Sequence, residues 1–261
     1  MKQFLILLLS IVLFSCSSDN DELIKQVSIK VNFTQNWDGT SIEKSDLSTT
    51  EYTNKLGTKL TIKELKYLIS RITLTDGAKK SITLSETRNE EEKNYKLIDI
   101  TNSETLTFNS SEKISEGTYN LSMTFGFNND DNYNTIYKDL ANWIVQPMLG
   151  GGYHYMQIDG KYLNSSNIQS NFNYHAIRAV DKTDPANLKF EDTFFTVDLG
   201  TVSIKNNATI EIKMDVDEWF KNPNEWDLNT LNTMLMPNFE AQKQMSANGK
   251  NGVFKLGTVS Q

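Results

Sequence analysis

Apolar and polar residues alternate with a period of two along much of this 261-residue chain. This pattern predicts half-buried β-strands, because successive side chains of a strand point to opposite faces. The apolar members of the clearest segments are Val27, Ile29, Val31 and Phe33, then Tyr119, Leu121, Met123, Phe125 and Phe127, and then Val202, Ile204, Ile210, Ile212 and Met214. We therefore predict an all-β fold, an antiparallel β-sandwich or barrel-like single domain with a few short helices.

Turn and helix signals divide these strands. The segment 72–84 predicts a hairpin in which Asp76-Gly77 takes the positive φ angles of a tight turn, and 202–214 predicts a strand pair around Asn206-Asn207. We expect a short helical turn within 60–70. The strongest helix signal covers Phe239 to Ala247, which follows a proline and an asparagine and precedes Gly249 as a stop.

The N-terminus resembles an export signal. A lysine at position 2, an apolar run from Phe4 to Phe14, and Ser15 precede Cys16. The run is shorter than the roughly 20 residues that span a bilayer. Leu13-Phe14-Ser15-Cys16 resembles the lipobox of bacterial lipoproteins, which implies cleavage before Cys16 and its acylation. An ordinary secretory signal with an incidental cysteine is the alternative.

This interpretation predicts three segments: a lipoprotein signal peptide at 1–15, a lipidated N-terminus and polar tether at 16–26, and a β domain at 27–261. The acidic run 19–22 resembles the export signals of surface lipoproteins in Bacteroidetes-type bacteria, or is a solvated tether. We expect a bacterial outer membrane lipoprotein, held to the membrane by its lipid anchor and facing the periplasm or the cell surface.

Composition excludes several functions. Cys16 is the only cysteine, so the mature chain of about 245 residues must be held together by its core without a disulfide. A net charge of −7 argues against a nucleic-acid partner, because it repels phosphate. The chain has no Gly-x-Ser-x-Gly elbow and no thiol outside the signal, and we expect that it is not an enzyme.

The two histidines are the main functional signal. His154 lies in Gly-Gly-Gly-Tyr-His-Tyr-Met and His175 in Asn-Phe-Asn-Tyr-His. Two converging imidazoles without a thiol favour copper or zinc. If 153–158 is a strand, His154 and Met156 share a face, and the Met156 thioether is a candidate third contact for Cu(I). The rival interpretation is two unrelated histidines in aromatic strands.

Met234-Leu235-Met236 also has a spacing that can serve Cu(I). Methionine is a common gap filler beside helices, and we favour a packing role for this pair.

Four stretches in order carry a family resemblance. They are Leu65-Lys-Tyr-Leu-Ile-Ser-Arg-Ile-Thr-Leu74, Glu116-Gly-Thr-Tyr-Asn-Leu121, Leu149-Gly-Gly-Gly-Tyr-His-Tyr-Met-Gln-Ile-Asp-Gly-Lys161 and Phe172-Asn-Tyr-His175. Together they resemble the MbnP-like family of periplasmic and outer-membrane copper-binding proteins, from about Val27 to Phe254. The resemblance implies a β-rich domain in which two histidines bind copper, as Cu(I) or Cu(II). In some members a tryptophan, oxidised to kynurenine by a dihaem peroxidase-like partner, completes the site.

Carried over to this sequence, the resemblance implies that His154 and His175 are the metal ligands and that Trp143 is the candidate for oxidation. We thus expect a lipid-anchored, extracytoplasmic protein that acquires, stores or delivers copper. The alternative is a metal-free surface β-sandwich that binds a glycan or a protein through exposed aromatic residues such as Tyr153 and Tyr155.

Overall fold

The computed structural model describes residues 25–133 and 136–261, and β-strands dominate them. The strands are β1 (Gln26–Trp37), β2 (Thr40–Ser41), β3 (Tyr52–Thr53), β4 (Lys59–Asp76), β5 (Ser81–Thr83), β6 (Glu86–Arg88), β7 (Glu91–Lys93), β8 (Tyr95–Asp99), β9 (Thr107–Ser115), β10 (Gly117–Phe125), β11 (Met156–Leu163), β12 (Gln169–Ala176), β13 (Ala179–Asp181), β14 (Lys189–Glu191), β15 (Phe195–Ile204), β16 (Ala208–Asp215) and β17 (Phe254–Ser260).

The described residues form one longer helix, α1 (Phe239–Lys250). Short 3-10 helices are found at Lys44–Asp46, Ser103–Leu106, Lys138–Trp143, Pro147–Leu149 and Val216–Phe220. Within the part of the chain that the structure describes, no helix has both the length and the apolar character needed to cross a bilayer. The predicted signal peptide and Cys16 lie outside the described residues.

Two large sheets form a sandwich-like domain, which confirms the predicted all-β class. One sheet has the order β17-β16-β1-β2, with β9 also paired to β1. The other has the order β12-β11-β4-β10-β15, with β3, β5 and β8 also paired to β4. Among the described strands, β1 and β16 form a parallel pair and the other pairs are antiparallel.

The core is built from the residues that the alternation pointed to. In β1, Val27, Ile29, Val31 and Phe33 are at most 2% exposed, and β10 buries Leu121, Met123 and Phe125 in the same way. Large aromatic side chains fill the space between the sheets, among them Trp219, Trp226 and Tyr174. Because each such side chain removes a large apolar area from water, this packing is the main source of stability.

Two local predictions were wrong in part. The segment 60–70 is not helical but lies inside the 18-residue strand β4, because pairing with β8, β10 and β11 outweighs its helix-forming residues. The hairpin around Asp76 is confirmed, yet the positive φ falls on Lys79 rather than on Asp76-Gly77, and the Asp76 carboxylate accepts a hydrogen bond from the Lys80 amide at 2.9 Å.

The strand pair predicted around Asn206-Asn207 is also wrong. β15 pairs with β10 in one sheet, whereas β16 pairs with β1 and β17 in the other. Residues 205–207 therefore carry the chain from one layer of the sandwich to the next.

Helix α1 confirms the strongest helix signal and extends it. Asn238 caps it by accepting a hydrogen bond from the Ala241 amide at 3.0 Å. Gly249, predicted as the stop, lies inside the helix, where an added Cβ would come within 2.5 Å of Phe195 and Trp219. The glycine is needed for close packing.

Substitution of Gly160 in β11 tests the packing of the site-bearing sheet. An added Cβ would lie 2.1 Å from the Thr61 carbonyl oxygen and 2.6 Å from the Phe172 ring. We expect Gly160→Ala to lower the free energy of unfolding by about 1–3 kcal/mol, as overpacking does. Gly77→Ala is the matched control, because nothing lies within 4 Å of its added Cβ. Equal stability of the two variants in urea unfolding would contradict this account.

Candidate metal centre

A returning loop positions His154. After the 3-10 helix that ends at Trp143, the chain turns through Gly150, Gly151 and Gly152, which all have positive φ. Ile144 and Tyr153 form an isolated antiparallel bridge, and the Val145 amide donates to the Gly152 carbonyl at 2.9 Å. Glycine adopts this conformation without steric cost. The loop thus brings residue 154 back beside residue 143.

A buried asparagine locks the segment on both sides of His154. Asn132 is 1% exposed; its side-chain oxygen accepts from the Tyr153 amide at 2.8 Å, and its Nδ2 donates to the Tyr155 hydroxyl at 2.9 Å. The Tyr155 ring lies against Gly126. Sequence reasoning missed Asn132, which lies in a polar stretch that reads as an ordinary loop.

His154 has a defined tautomer. Its Nδ1 lies 3.1 Å from the Trp143 carbonyl oxygen, which also accepts the His154 amide at 3.0 Å. In return, the Trp143 indole Nε1 donates to the His154 carbonyl at 2.5 Å. Because a carbonyl oxygen can only accept, Nδ1 carries the proton, and the lone pair of the neutral ring is on Nε2.

Burial keeps this ring neutral. His154 is 9% exposed, and desolvation lowers its pKa from 6.5 to about 4, against the opposing hydrogen bond to Trp143. At neutral pH its Nε2 is therefore able to bind a metal.

His175 lies near the end of β12, on the face turned away from the main core. Its neighbours Tyr174 and Ala176 are buried in that core, so alternation directs His175 to the other face, opposite Gln157 of β11. Its Nε2 lies 2.7 Å from Oδ1 of Asp159, which also accepts from Nδ2 of Asn173 at 2.7 Å.

Asp159 fixes the tautomer of His175. Burial opposes ionisation of this carboxyl, but the hydrogen bonds from His175 and Asn173 outweigh it and lower its pKa. The ionised carboxylate accepts the Nε2 proton, so Nδ1 holds the lone pair. A carboxylate on the outer nitrogen is the usual support of a metal-binding imidazole. Asp159 was within the quoted motif, but its role depends on strand pairing.

The structure brings the two histidines together. Their ring centres are 5.9 Å apart with the planes at 85°. Metal–nitrogen bonds are about 2.0–2.1 Å and ring nitrogens lie about 1.2 Å from the ring centre, so rings sharing one ion are at most about 6.5 Å apart. The observed separation fits such sharing.

The donor set is small. Among residues 25–133 and 136–261, no group of three or more His, Cys, Asp or Glu side chains could hold a metal. Trp143 adjoins the pair, with its ring centre 5.5 Å from that of His154, and is 5% exposed. Two imidazoles suit an ion that accepts low coordination, such as Cu(I), better than a four-coordinate zinc.

Other predicted residues lie elsewhere. β11 begins only at Met156, so the predicted strand 153–158 does not extend to His154. Met156 pairs with Ala176 and is completely buried in the main core, on the sheet face opposite to that of His175. Tyr153 and Tyr155 are both fully buried, which removes them as the exposed aromatics of the glycan-binding alternative.

The lowered pKa of His154 predicts an acid-dependent stability. Between pH 6.5 and about pH 4, the unfolded chain binds a proton at this residue that the folded chain does not. Its contribution is therefore fully present above pH 6.5 and is lost as the pH falls, by up to roughly 3 kcal/mol. Urea unfolding of the metal-free protein should show this loss relative to His154→Gln. Parallel stability curves of the two proteins would refute it.

The chain resembles known proteins in sequence pattern and in fold. The sequence pattern of the MbnP family matches residues 26–237. The structure is similar to that of MbnP from Methylosinus trichosporium, with a TM-score of 0.58 and 12% sequence identity over 91% of this chain and 99% of that one. At this identity the likeness concerns the fold. No curated protein sequence matches the chain significantly. With a family match over most of its length, this chain belongs to the MbnP family.

Proposed function

We propose that this protein is a lipid-anchored, extracytoplasmic copper-binding protein that acquires, stores or delivers copper through His154 and His175. One observation carries the proposal: two imidazoles at the open end of the β11–β12 strand pair meet with their ring centres 5.9 Å apart. Membership of the MbnP family, which is linked to copper in general, supports the choice of metal.

The second nitrogen of each ring strengthens the proposal. His154 is held by a backbone carbonyl and His175 by a carboxylate, so each ring keeps one lone pair for a ligand. Both orientations are set before an ion binds. The two side chains therefore lose little conformational entropy when an ion binds, which favours a high affinity.

The ligand types favour copper over the alternatives. Calcium and magnesium require several oxygen ligands, and structural zinc is held by four ligands. A two-nitrogen site in a poorly solvated environment suits Cu(I), and additional ligands from outside the protein would allow Cu(II). We infer that the pair holds the ion for acquisition, storage or delivery.

Trp143 is included in the proposal as a residue open to oxidation. It contacts His154 directly and lines a cavity of about 210 Å³ together with Gln157, on the His175 side of β11. A dihaem peroxidase-like partner would be the oxidant. The lipid anchor is inferred from Cys16 and from the lipobox-like residues before it.

Anaerobic Cu(I) titration tests the paired site. We expect the wild-type protein to bind copper with nitrogen ligation, and His154→Ala and His175→Ala each to lose this two-nitrogen site. Asp38→Asn is the control, because it removes an exposed carboxylate after β1 of the other sheet, at a positive φ that asparagine tolerates.

Thermal unfolding of all variants would establish that they fold. Undiminished nitrogen ligation after either alanine substitution would remove that histidine from the site and with it the proposal.

Peptide mass spectrometry of the protein from its native host tests the two modifications. We expect an acylated N-terminal peptide that begins at Cys16, and an oxidised Trp143 in protein from copper-replete cells. Trp37, Trp219 and Trp226 serve as internal controls and should be unmodified, since their rings pack against Tyr52, Phe125 and Tyr174 of the core and not against His154. A chain with an unmodified cysteine would argue against the anchor, and an intact Trp143 against its oxidation.

A further inference from the structure

The methionines of the described chain divide into two groups. Met123, Met156, Met214 and Met245 are at most 1% exposed and belong to the core. The remaining three, Met148, Met234 and Met236, all line one groove, and His175 lines the same groove. Packing accounts for the first group but not for the second.

The exposure of these side chains is unusual. Met234 is 79% exposed and Met148 is 71% exposed, the two highest values among the large hydrophobic residues that are exposed in the described chain. Met234 also has a φ of 58°, in the left-handed region that bulky side chains rarely adopt. An exposed thioether on such a backbone is poorly explained by stability, so the predicted packing role does not fit Met234, whereas Met236 is half-buried.

The groove has a volume of about 550 Å³, and its lining selects a type of ligand. The described residues that line it include Gln146, Asn173 and Lys182 but no carboxylate. A hard divalent cation would find a positive charge and no anionic oxygen there. Thioether sulfur is neutral and polarisable and binds soft ions such as Cu(I).

Hydrogen bonds attach the Met234–Met236 loop to β12. The Asn173 amide donates to the Asn232 carbonyl at 2.7 Å. Nε2 of the fully buried Gln242 donates to the carbonyls of both His175 and Leu235, at 2.8 and 3.1 Å. Leu235 lies between the two methionines, so their backbone is tied directly to that of the histidine.

The Met148 loop is attached to the same region of the chain. The Arg178 guanidinium donates to the Gly150 carbonyl at 2.9 Å, two residues after Met148. Arg178 follows β12 by two residues and also lies over the Phe190 ring. Methionines from two separate loops are therefore held near the end of β12.

We propose that Met148, Met234 and Met236 form a thioether site that collects Cu(I) from outside and passes it to the histidine pair through His175. The inference rests on the proposed copper function and extends it. His175 lines the groove, and its ring centre is 5.9 Å from that of His154. It is therefore part of both the groove and the histidine pair. The transfer is a ligand exchange, in which sulfur ligands are replaced by nitrogen and the ion remains Cu(I).

X-ray absorption at the copper edge tests the site in the full chain loaded with Cu(I) alone under anaerobic conditions. The informative background is His154→Ala, in which the paired site is broken but the groove is intact. We expect sulfur scatterers around copper in this protein, and their loss when Met148→Leu, Met234→Leu and Met236→Leu are added. Leucine keeps the apolar volume and removes the sulfur.

The control carries Met123→Leu, Met214→Leu and Met245→Leu in the same background and should retain sulfur ligation. Absence of sulfur scatterers in His154→Ala, or their persistence after the groove substitutions, would overturn the inference. The histidine proposal is judged separately, because the groove variant with both histidines intact should still bind copper with nitrogen ligation.

Discussion

The pairing of β11 with β12 is the constraint on which the candidate site depends. Their register sets Met156 opposite Ala176 and Gln157 opposite His175, so that alternate residues face the core and the rest face outward. A shift of β12 by one residue would turn His175 into the core and Tyr174 and Ala176 out of it. The same register places Asp159 within hydrogen-bonding distance of His175. One set of backbone hydrogen bonds therefore positions the candidate ligand His175, the Asp159 carboxylate that supports it, and the edge of the groove.

Buried polar side chains hold the irregular segments around this sheet in place. Asn132 fixes the chain before and after His154, and Gln242 joins the end of β12 to the 234–236 loop. Each makes at least two hydrogen bonds within the protein, which offsets the cost of burying an amide. The loop that carries His154 and the loop beside the end of β12 thus have conformations specified by the core, a condition for preformed ligand geometry.

The sequence was sufficient for the fold class, and it singled out the two histidines that the structure brings together. Alternation in β1 and β10 identified core positions, because burial on one face of a strand leaves a period of two. The local sequence of 60–70 misled, since three neighbouring strands impose an extended conformation on it. The prediction that Met156 shares a face with His154 depends on a strand that begins at residue 153. In the structure, β11 begins three residues later, at Met156.

Roles that depend on long-range pairing were not predictable. Asp159 and His175 are 16 residues apart, and Asn132 and Tyr153 are 21 apart. Nothing local in the sequence of either pair signals the contact. The three groove methionines likewise come from two loops that have β11 to β16 between them in the sequence, and only the three-dimensional structure distinguishes them from the buried core methionines.

The different supports of the two imidazoles make them unequal as ligands. A carboxylate draws the outer proton of His175 more strongly than a carbonyl draws that of His154, which makes the inner nitrogen of His175 the better electron donor. An ion shared between the rings would therefore separate from the deeper histidine first. The departing ion would then be held last by His175, the residue that borders the open groove.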